Sequence, residues 1–436
     1  MPDSSPRSWG LLPPAEHTLH LLRRRDHRLP RVEGSALPHG LGRSYGDSCL
    51  NDGGALLLTR GLDRWIAFDR ETGLLECEAG VSLSEILDLV VPAGWFLPVI
   101  PGTRHVTLGG AIANDVHGKN HHRAGTFARH VRSFELLRSD GLRRVCSREQ
   151  NAKWFRATVG GLGLTGLITR ATVQLRPIVS SRISVEELRM GGLDDFFALA
   201  DESDASHEYT VAWIDALARG PDLGRGVFIR GDHSDTPGPL DSGSNRSLAV
   251  PFHAPSSLLN RHTVRAFNAL YRRRFRGDQR RFTSHFTPFF HPLDRIDHWN
   301  RLYGRRGFFQ HQCVLPEAGN PGAVRDLLSR VARSGQASFL AVLKRFGAYS
   351  PEGLLSFPRP GVTLALDFPD RGPVTRELLD DLDDIVVQNG GALYPAKDAR
   401  MSAEHFRQFF PALDLFIPYL DPAFGSGFWR RVRPDL

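Results

Sequence analysis

Short runs with an apolar residue at every second position dominate the first third of this chain, the spacing of strands that bury one face. Ala55–Leu58, Trp65–Asp69 and Leu74–Ala79 read as strands, with residues 70–73 as the hairpin connection between the last two. From Ser82 to Ala93 the period lengthens to that of a helix. Ser82 stands three residues ahead of Glu85, a pairing in which each side chain satisfies the other's free backbone N–H, and Gly94 supplies the stop. Ser133–Leu137 and Leu167–Leu175 follow as strands, and Asn151–Val159 between them as a helix ending at Gly160-Gly161.

Beyond Pro177 the pattern changes. Strands around Tyr209–Ile214, Gln310–Leu315, Phe339–Phe346 and Thr363–Phe368 alternate with amphipathic helices near Val324–Ser334 and Arg376–Gln388, which predicts an antiparallel sheet with helices on one face. Residues 237–255, rich in Pro, Ser and Gly, read as a loop. No internal repeat is evident. The fold class is α+β, and 436 residues exceed what one hydrophobic core serves, so two domains are expected.

Composition narrows the compartment. No stretch reaches the ~18 to 20 uninterrupted apolar residues of a membrane-spanning helix. The opening MPDSSPRSWGLLPPAEH lacks the basic start and sustained apolar core of a secretory signal, so a cytoplasmic protein is expected. Cys49, Cys77, Cys146 and Cys313 show no CxxC spacing, which argues against a zinc site or a disulfide framework and leaves isolated buried thiols. The net charge of +7 is uneven: residues 261–281 hold eight arginines against one acid, Asp278. Such a patch binds nucleic acid, an anionic membrane surface or a phosphorylated substrate, or is simply solvated. Phe267, Tyr271, Phe275 and Phe282 are not spaced as a single-strand binding groove requires, so nucleic acid is disfavoured.

Candidate chemistry sits in two glycine-rich segments. One is GLGRSYGDS at residues 40–48, whose glycines allow successive amides to converge on a pyrophosphate while Ser44 adds a hydroxyl. The other is IPGTRHVTLGGAIANDVHGKNHHRAGT at residues 100–126. Neither is GxGxxG or GxxxxGK[ST], which disfavours those two cofactor architectures. His117, His121 and His122 form HxxxHH, but no carboxylate stands in catalytic-zinc spacing, so no metal is expected.

These segments, with ATVGGLGLTGLITRATVQL, YTVAWIDA, HPLDRIDHWNRLYG, FFQHQCVLP and LYPAKDARMSAEHF, resemble the vanillyl-alcohol-oxidase (PCMH-type) flavoproteins, and within them the decaprenylphosphoryl-β-D-ribose 2-oxidase-like branch, over nearly the whole chain. The resemblance implies an FAD-binding domain over 1–178, completed by 392–436, and a substrate domain over 179–391. It assigns to the flavin Pro38, His39, Gly40, Leu41, Gly42, Arg43, Ser44, Tyr45, Gly46, Asp47, Ser48, Gly102, Thr107, Leu108, Gly109, Gly110, Asn114, Asp115, Val116, His117, Ile168 and Tyr394. It assigns to the substrate Tyr45, Lys119, Gln312, Lys344 and Lys397.

His117 and Lys397 are the candidate catalytic residues. An imidazole switches protonation near neutral pH, and an ammonium whose proton affinity is lowered by burial can hydrogen-bond a sugar hydroxyl. The implied reaction is oxidation of a sugar secondary alcohol, that of a decaprenylphosphoryl-ribose or related lipid-linked or phosphorylated sugar, to a 2-keto form, with a separate NAD(P)H-dependent reductase completing an epimerisation for cell-wall arabinan. By the same resemblance the basic run is a mobile loop beside the substrate entrance, in peripheral contact with a membrane.

Arg43-Ser44 stand where covalent relatives often carry a histidine, so noncovalent FAD is expected. Ala365 replaces a reactive cysteine of the best-known members, and Phe290 a tyrosine. Two alternatives remain: an aldonolactone or alditol oxidase of free sugars, and a basic binding protein that has lost the cofactor.

Overall fold

The computed structural model describes residues 6–243, 247–255, 258–273, 277–316, 322–336 and 340–434. Its architecture is α+β. Three parallel strands, in the order Thr18–Leu21, Ala55–Leu58, Ala36–His39, deliver the chain from His39 directly into the first glycine segment. A five-stranded antiparallel sheet follows, ordered Trp65–Asp69, Leu74–Glu78, Leu167–Gln174, Val131–Leu137, Arg143–Ser147. Its first hairpin closes because the Asp69 carboxylate accepts from the backbone N–H groups of Glu71 and Thr72 and from the Thr72 hydroxyl, while Gly73 takes the left-handed turn position at φ 70°. The helix Leu83–Val90 begins with the reciprocal Ser82–Glu85 cap, and Gly94 ends the turn after it at φ 82°.

The second half is built on eight antiparallel strands. In spatial order they are Gln279–His285, Arg182–Met190, Gly226–His233, Tyr209–Ile214, Ala341–Phe346, Gly361–Pro369, Phe308–Leu315 and Ala392–Leu393. The two-residue period decides what each face does. Ala341, Leu343, Cys313 and Leu315 pack into the core shared with the helices Leu193–Asp204, Gly322–Ser334 and Pro373–Gln388. Val342, Lys344, Gln310 and Gln312 point the other way, into a cavity.

Expected elements end within three residues of their sequence-read bounds, with Phe339 outside the described residues. Two readings need correction. Residues 237–255 contain a short strand, Leu248–Ala249, paired in parallel with Ile296–Asp297. The arginine run, expected as a mobile loop, folds as the helix Arg261–Arg273 and the strand Gln279–His285; residues 274–276, with Phe275, lie outside the described ones. That helix is anchored one turn apart by buried Val264 and by Asn268, whose amide donates to Asp215 at 2.6 Å, while Tyr271 packs on Trp213. Among the described residues no helix is long and apolar enough to cross a membrane.

Candidate active site

A cavity of about 470 Å³ runs between the two glycine segments and the polar face of the large sheet, a volume suited to a cofactor and its substrate. Glycine is required where its walls meet. A Cβ on Gly40 would lie 2.4 Å from Thr107 Oγ1, so the two segments touch only because Gly40 has none, and Gly42 adopts φ 61°. Thr107 caps the helix Leu108–Ala113 by accepting from the Gly110 N–H. Gly163 and Gly166, at φ 77° and 141°, bring a third loop onto the same wall. These narrow, amide-lined contacts fit a dinucleotide bearing a diphosphate.

Of the candidate cofactor and substrate residues, all but five line this cavity. The exceptions support the wall from behind. His39 Nδ1 bonds the Cys49 carbonyl at 2.9 Å. Gly46 lets the first glycine segment pass the 394–398 turn, since a Cβ there would sit 1.8 Å from the Asp398 carbonyl oxygen. Asp47 accepts two bonds from Arg431, at 2.9 and 2.7 Å. Leu108 is core, and buried Asp115 accepts from Ser356 Oγ and the Ala128 N–H, with burial pushing its carboxyl up to about 6.

The chain has four lysines, Lys119, Lys153, Lys344 and Lys397, and three of them converge on this cavity. Desolvation lowers Lys119 from 10.5 to about 8, and Lys344 and Lys397 to about 7; mutual repulsion adds to the effect at Lys344, and nearby Asp367 partly opposes it at Lys397. Lys344 Nζ donates to His117 Nδ1 at 3.1 Å and to the Gly118 carbonyl at 3.3 Å. Gln312 Nε2 lies 3.0 Å from His117 Nε2. Lys397 Nζ stands 3.7 Å above the Tyr45 ring.

His117 therefore differs from the expectation that it titrates near neutrality. Burial comes first, and the Lys344, His121 and Lys397 charges add to it, holding the imidazole neutral with its pKa well below the usual value. The groups that burial brings near pH 7 are Lys344, Lys397 and the Asp367 carboxyl behind them. Tyr394 stacks on Phe357 with centroids 4.7 Å apart and donates to the Asn114 carbonyl at 2.9 Å, tying the 394–398 turn to the second glycine segment. Ala365, opposite Gln312 in the strand register, and Phe290, on the cavity wall, mark the departures noted in the sequence.

His117, His121 and His122 diverge: His121 Nδ1 accepts from the Gly347 N–H and His122 Nε2 meets the His207 carbonyl. Among the described residues no group of three metal-ligating side chains is gathered.

Sequence reasoning passed over several participants. Trp9 lies under the Arg43 guanidinium at 4.1 Å. Gln310 lines the cavity, and buried Asp367 stands behind it. An acid inside the apolar run VTLALDF was the available signal for Asp367.

Residues 32–147 match the family model of an FAD binding domain. The chain is 39% identical over 412 residues to the decaprenylphosphoryl-beta-D-ribose oxidase of Mycolicibacterium smegmatis, covering 91% of this chain and 89% of that protein. It is 38% identical over 348 residues to a Streptomyces coelicolor protein encoded in the mprA 5' region, covering 77% and 94% respectively. Similarity to mouse L-gulonolactone oxidase is 30% over 140 residues, 32% of this chain and 31% of that one.

Proposed function

The chain belongs to the decaprenylphosphoryl-β-D-ribose oxidase family of FAD-dependent oxidoreductases acting on CH–OH groups, and from that premise we propose that it oxidises a polyprenyl-phosphate ribose, decaprenylphosphoryl-β-D-ribose or a close relative, to the 2-keto sugar. The observation that carries this reading is the gathering of three half-buried lysines on one cavity bordered by an arginine-rich, partly apolar surface. Three cations opposed by a single nearby carboxylate, Asp367, suit a phosphorylated sugar.

FAD, when bound, supplies the two-electron acceptor for the carbinol C–H bond. Residues 38–48, 102–117 and 163–168, with Tyr394, are the segments that would hold it. Noncovalent attachment belongs to the same reading, because Arg43-Ser44 stand in the first glycine segment where covalent relatives often carry a histidine. We assign residues 1–178 with 392–436 to the FAD unit and 179–391 to the substrate unit. The Arg431–Asp47 pair and the Phe424–Ala36 bridge support the return of the chain end to its start.

Lys397 Nζ takes the hydroxyl proton as the C–H bond breaks. With its pKa near 7, a large fraction is neutral at physiological pH. Neutral His117 acts as the acceptor that fixes Lys344. Lys119 and Lys344 balance the phosphate charge. The keto product then passes to a separate NAD(P)H-dependent reductase.

Peripheral membrane contact belongs to the same reading. Leu248, Phe252 and Leu270 are 79%, 73% and 67% exposed, and Arg261 and Arg265 are exposed on the helix that carries Leu270. Leu248–Ala249 pairs with Ile296–Asp297, whose side chains line the cavity, so the apolar patch borders the site. Exposed apolar side chains with arginines on the same helix suit an anionic lipid surface.

Anaerobic mixing of the FAD-loaded protein with a short-chain polyprenyl-phosphoryl ribose should bleach the flavin absorbance, while ribose, gulonolactone and sorbitol should not. Reduction by the free sugars alone would move the assignment to the aldonolactone or alditol oxidases, and a purified protein that takes up no flavin would make it a basic binding protein.

A further inference from the structure

We propose that Asp367, which stands behind the cavity wall, is a positioning residue for Lys397: it fixes the Gln310 amide and the Tyr303 ring that braces Tyr45 beneath the ammonium, and supplies its counter-charge. The inference rests on the role given to Lys397 above.

Asp367 lies on the strand Gly361–Pro369 directly across from Gln310 and is 1% exposed. Its Oδ1 accepts from Gln310 Nε2 at 2.6 Å, and its Oδ2 accepts from the Tyr303 hydroxyl at 3.0 Å. An ionised carboxylate only accepts, so it commits the Gln310 NH₂ to itself and turns the amide oxygen the other way. Gln310 also faces the Tyr45 side chain, where it partly offsets the burial that pushes the phenol up.

Tyr45 is itself held by its backbone and by its ring. Its backbone N–H donates to the Ala396 carbonyl at 2.8 Å, its ring meets Phe308 edge-on at 5.4 Å, and Phe308 stacks on Tyr303 at 4.0 Å. Tyr303 thus serves both the carboxylate and the ring that braces Tyr45. The cation–π contact of Lys397 depends on this placement.

Charge gives a reason for an acid where an amide or an apolar residue would be cheaper to bury. Lys344 repels Lys397, Lys119 repels Lys344, and Arg43 faces Tyr45. His117 is neutral, and Asp398, beside Lys397, is engaged by Arg431. Asp367 is the carboxylate that opposes the desolvation of Lys397, although its own burial pushes it up to about 7.

Four lysines make the test direct. In FAD-loaded protein labelled with lysine ε-¹³C, the Lys397 resonance is assigned by its loss in Lys397→Met. Asp367→Asn should lower the titration midpoint of that resonance by about one pH unit, the effect of removing a nearby opposite charge. Tyr303→Phe removes a donor from the carboxylate, raises its proton affinity, and should move Lys397 the same way by less. A Lys397 midpoint unmoved in whichever variant folds overturns the proposal. Asp367→Glu should restore most of the shift. Lys397→Met that still reduces its flavin at the wild-type rate would instead remove Lys397 from the chemistry and leave the charge coupling standing.

Discussion

Lys344→Met should stabilise the protein at acid pH while impairing its reaction. Burial brings Lys344 from its usual 10.5 to about 7, with Lys119 and Lys397 adding repulsion. At ~1.4 kcal/mol per pH unit of displacement, holding this ammonium in the folded state costs up to ~5 kcal/mol. Methionine keeps the volume and removes the charge. It also strands two acceptors, the Gly118 carbonyl and His117 Nδ1, which returns ~1 kcal/mol for each lost bond. Water in the cavity screens the charge further, so a net gain of roughly 2–3 kcal/mol is expected below pH 7.

The sign over pH follows from the direction of the displacement. The folded pKa lies below the unfolded one, so between about 7 and 10.5 the unfolded chain binds more protons and wild-type stability rises with pH. The advantage of the variant must therefore be greatest below pH 7 and fade as pH approaches 10.5. Urea unfolding of both proteins at pH 6, 8 and 9.5, followed by tryptophan fluorescence, measures this. A difference that stays constant with pH, or a variant less stable at pH 6, would refute the argument that Lys344 is a desolvated cation.

Lys397→Ala should retain FAD, read from its absorbance band, and lose reduction by substrate at least about 100-fold in stopped flow. Gly46→Ala drives a Cβ into the Asp398 carbonyl; it should cost ~1–3 kcal/mol in thermal unfolding and weaken FAD retention, because the Tyr394–Lys397 turn must move. Replacing Arg261 and Arg265 with serine should reduce cosedimentation with anionic vesicles, the loss being largest at low salt. The four native thiols are bland, with burial pushing Cys49, Cys146 and Cys313 up to about 12; wild type should resist N-ethylmaleimide inactivation, and Ala365→Cys should gain sensitivity in that assay.

Elements were legible where one local rule decided them. Ser82 with Glu85, and Gly94 after them, bounded a helix because capping is a three-residue matter. The strand Arg182–Met190 was missed because its polar positions look solvated in sequence. In the fold Glu186 is buried and paired with Arg230 and Arg281, which arrive from two other strands. The helix Arg261–Arg273 was hidden for a related reason: only Val264 and Asn268 are buried on it, too few to set a helical period against so many arginines. Site residues within the glycine segments were readable as motifs. Gln310, Asp367 and Tyr303 were not, because their meaning arises from strand register and from a hydrogen bond across 64 residues.

The lysines explain why the site takes this form. Arginine is used nearly everywhere else for positive charge, and its guanidinium stays protonated whatever the burial. An ammonium is different, because desolvation alone can bring it to the working pH. Placing Lys119, Lys344 and Lys397 around one cavity makes each lower the proton affinity of a neighbour, and His117, at the centre, is driven so far down that it stays neutral, with Nδ1 free to accept from Lys344. One carboxylate, Asp367, stands close enough to hold Lys397 back from that fate. A phosphate-bearing substrate would add negative charge and raise all three lysines together, so proton uptake on binding is expected. Calorimetric binding enthalpies of a polyprenyl phosphate in buffers of different ionisation heat measure that uptake near pH 7.5. Zero proton uptake there would mean that the lysines do not face the phosphate, and the substrate class would have to be sought among neutral sugars.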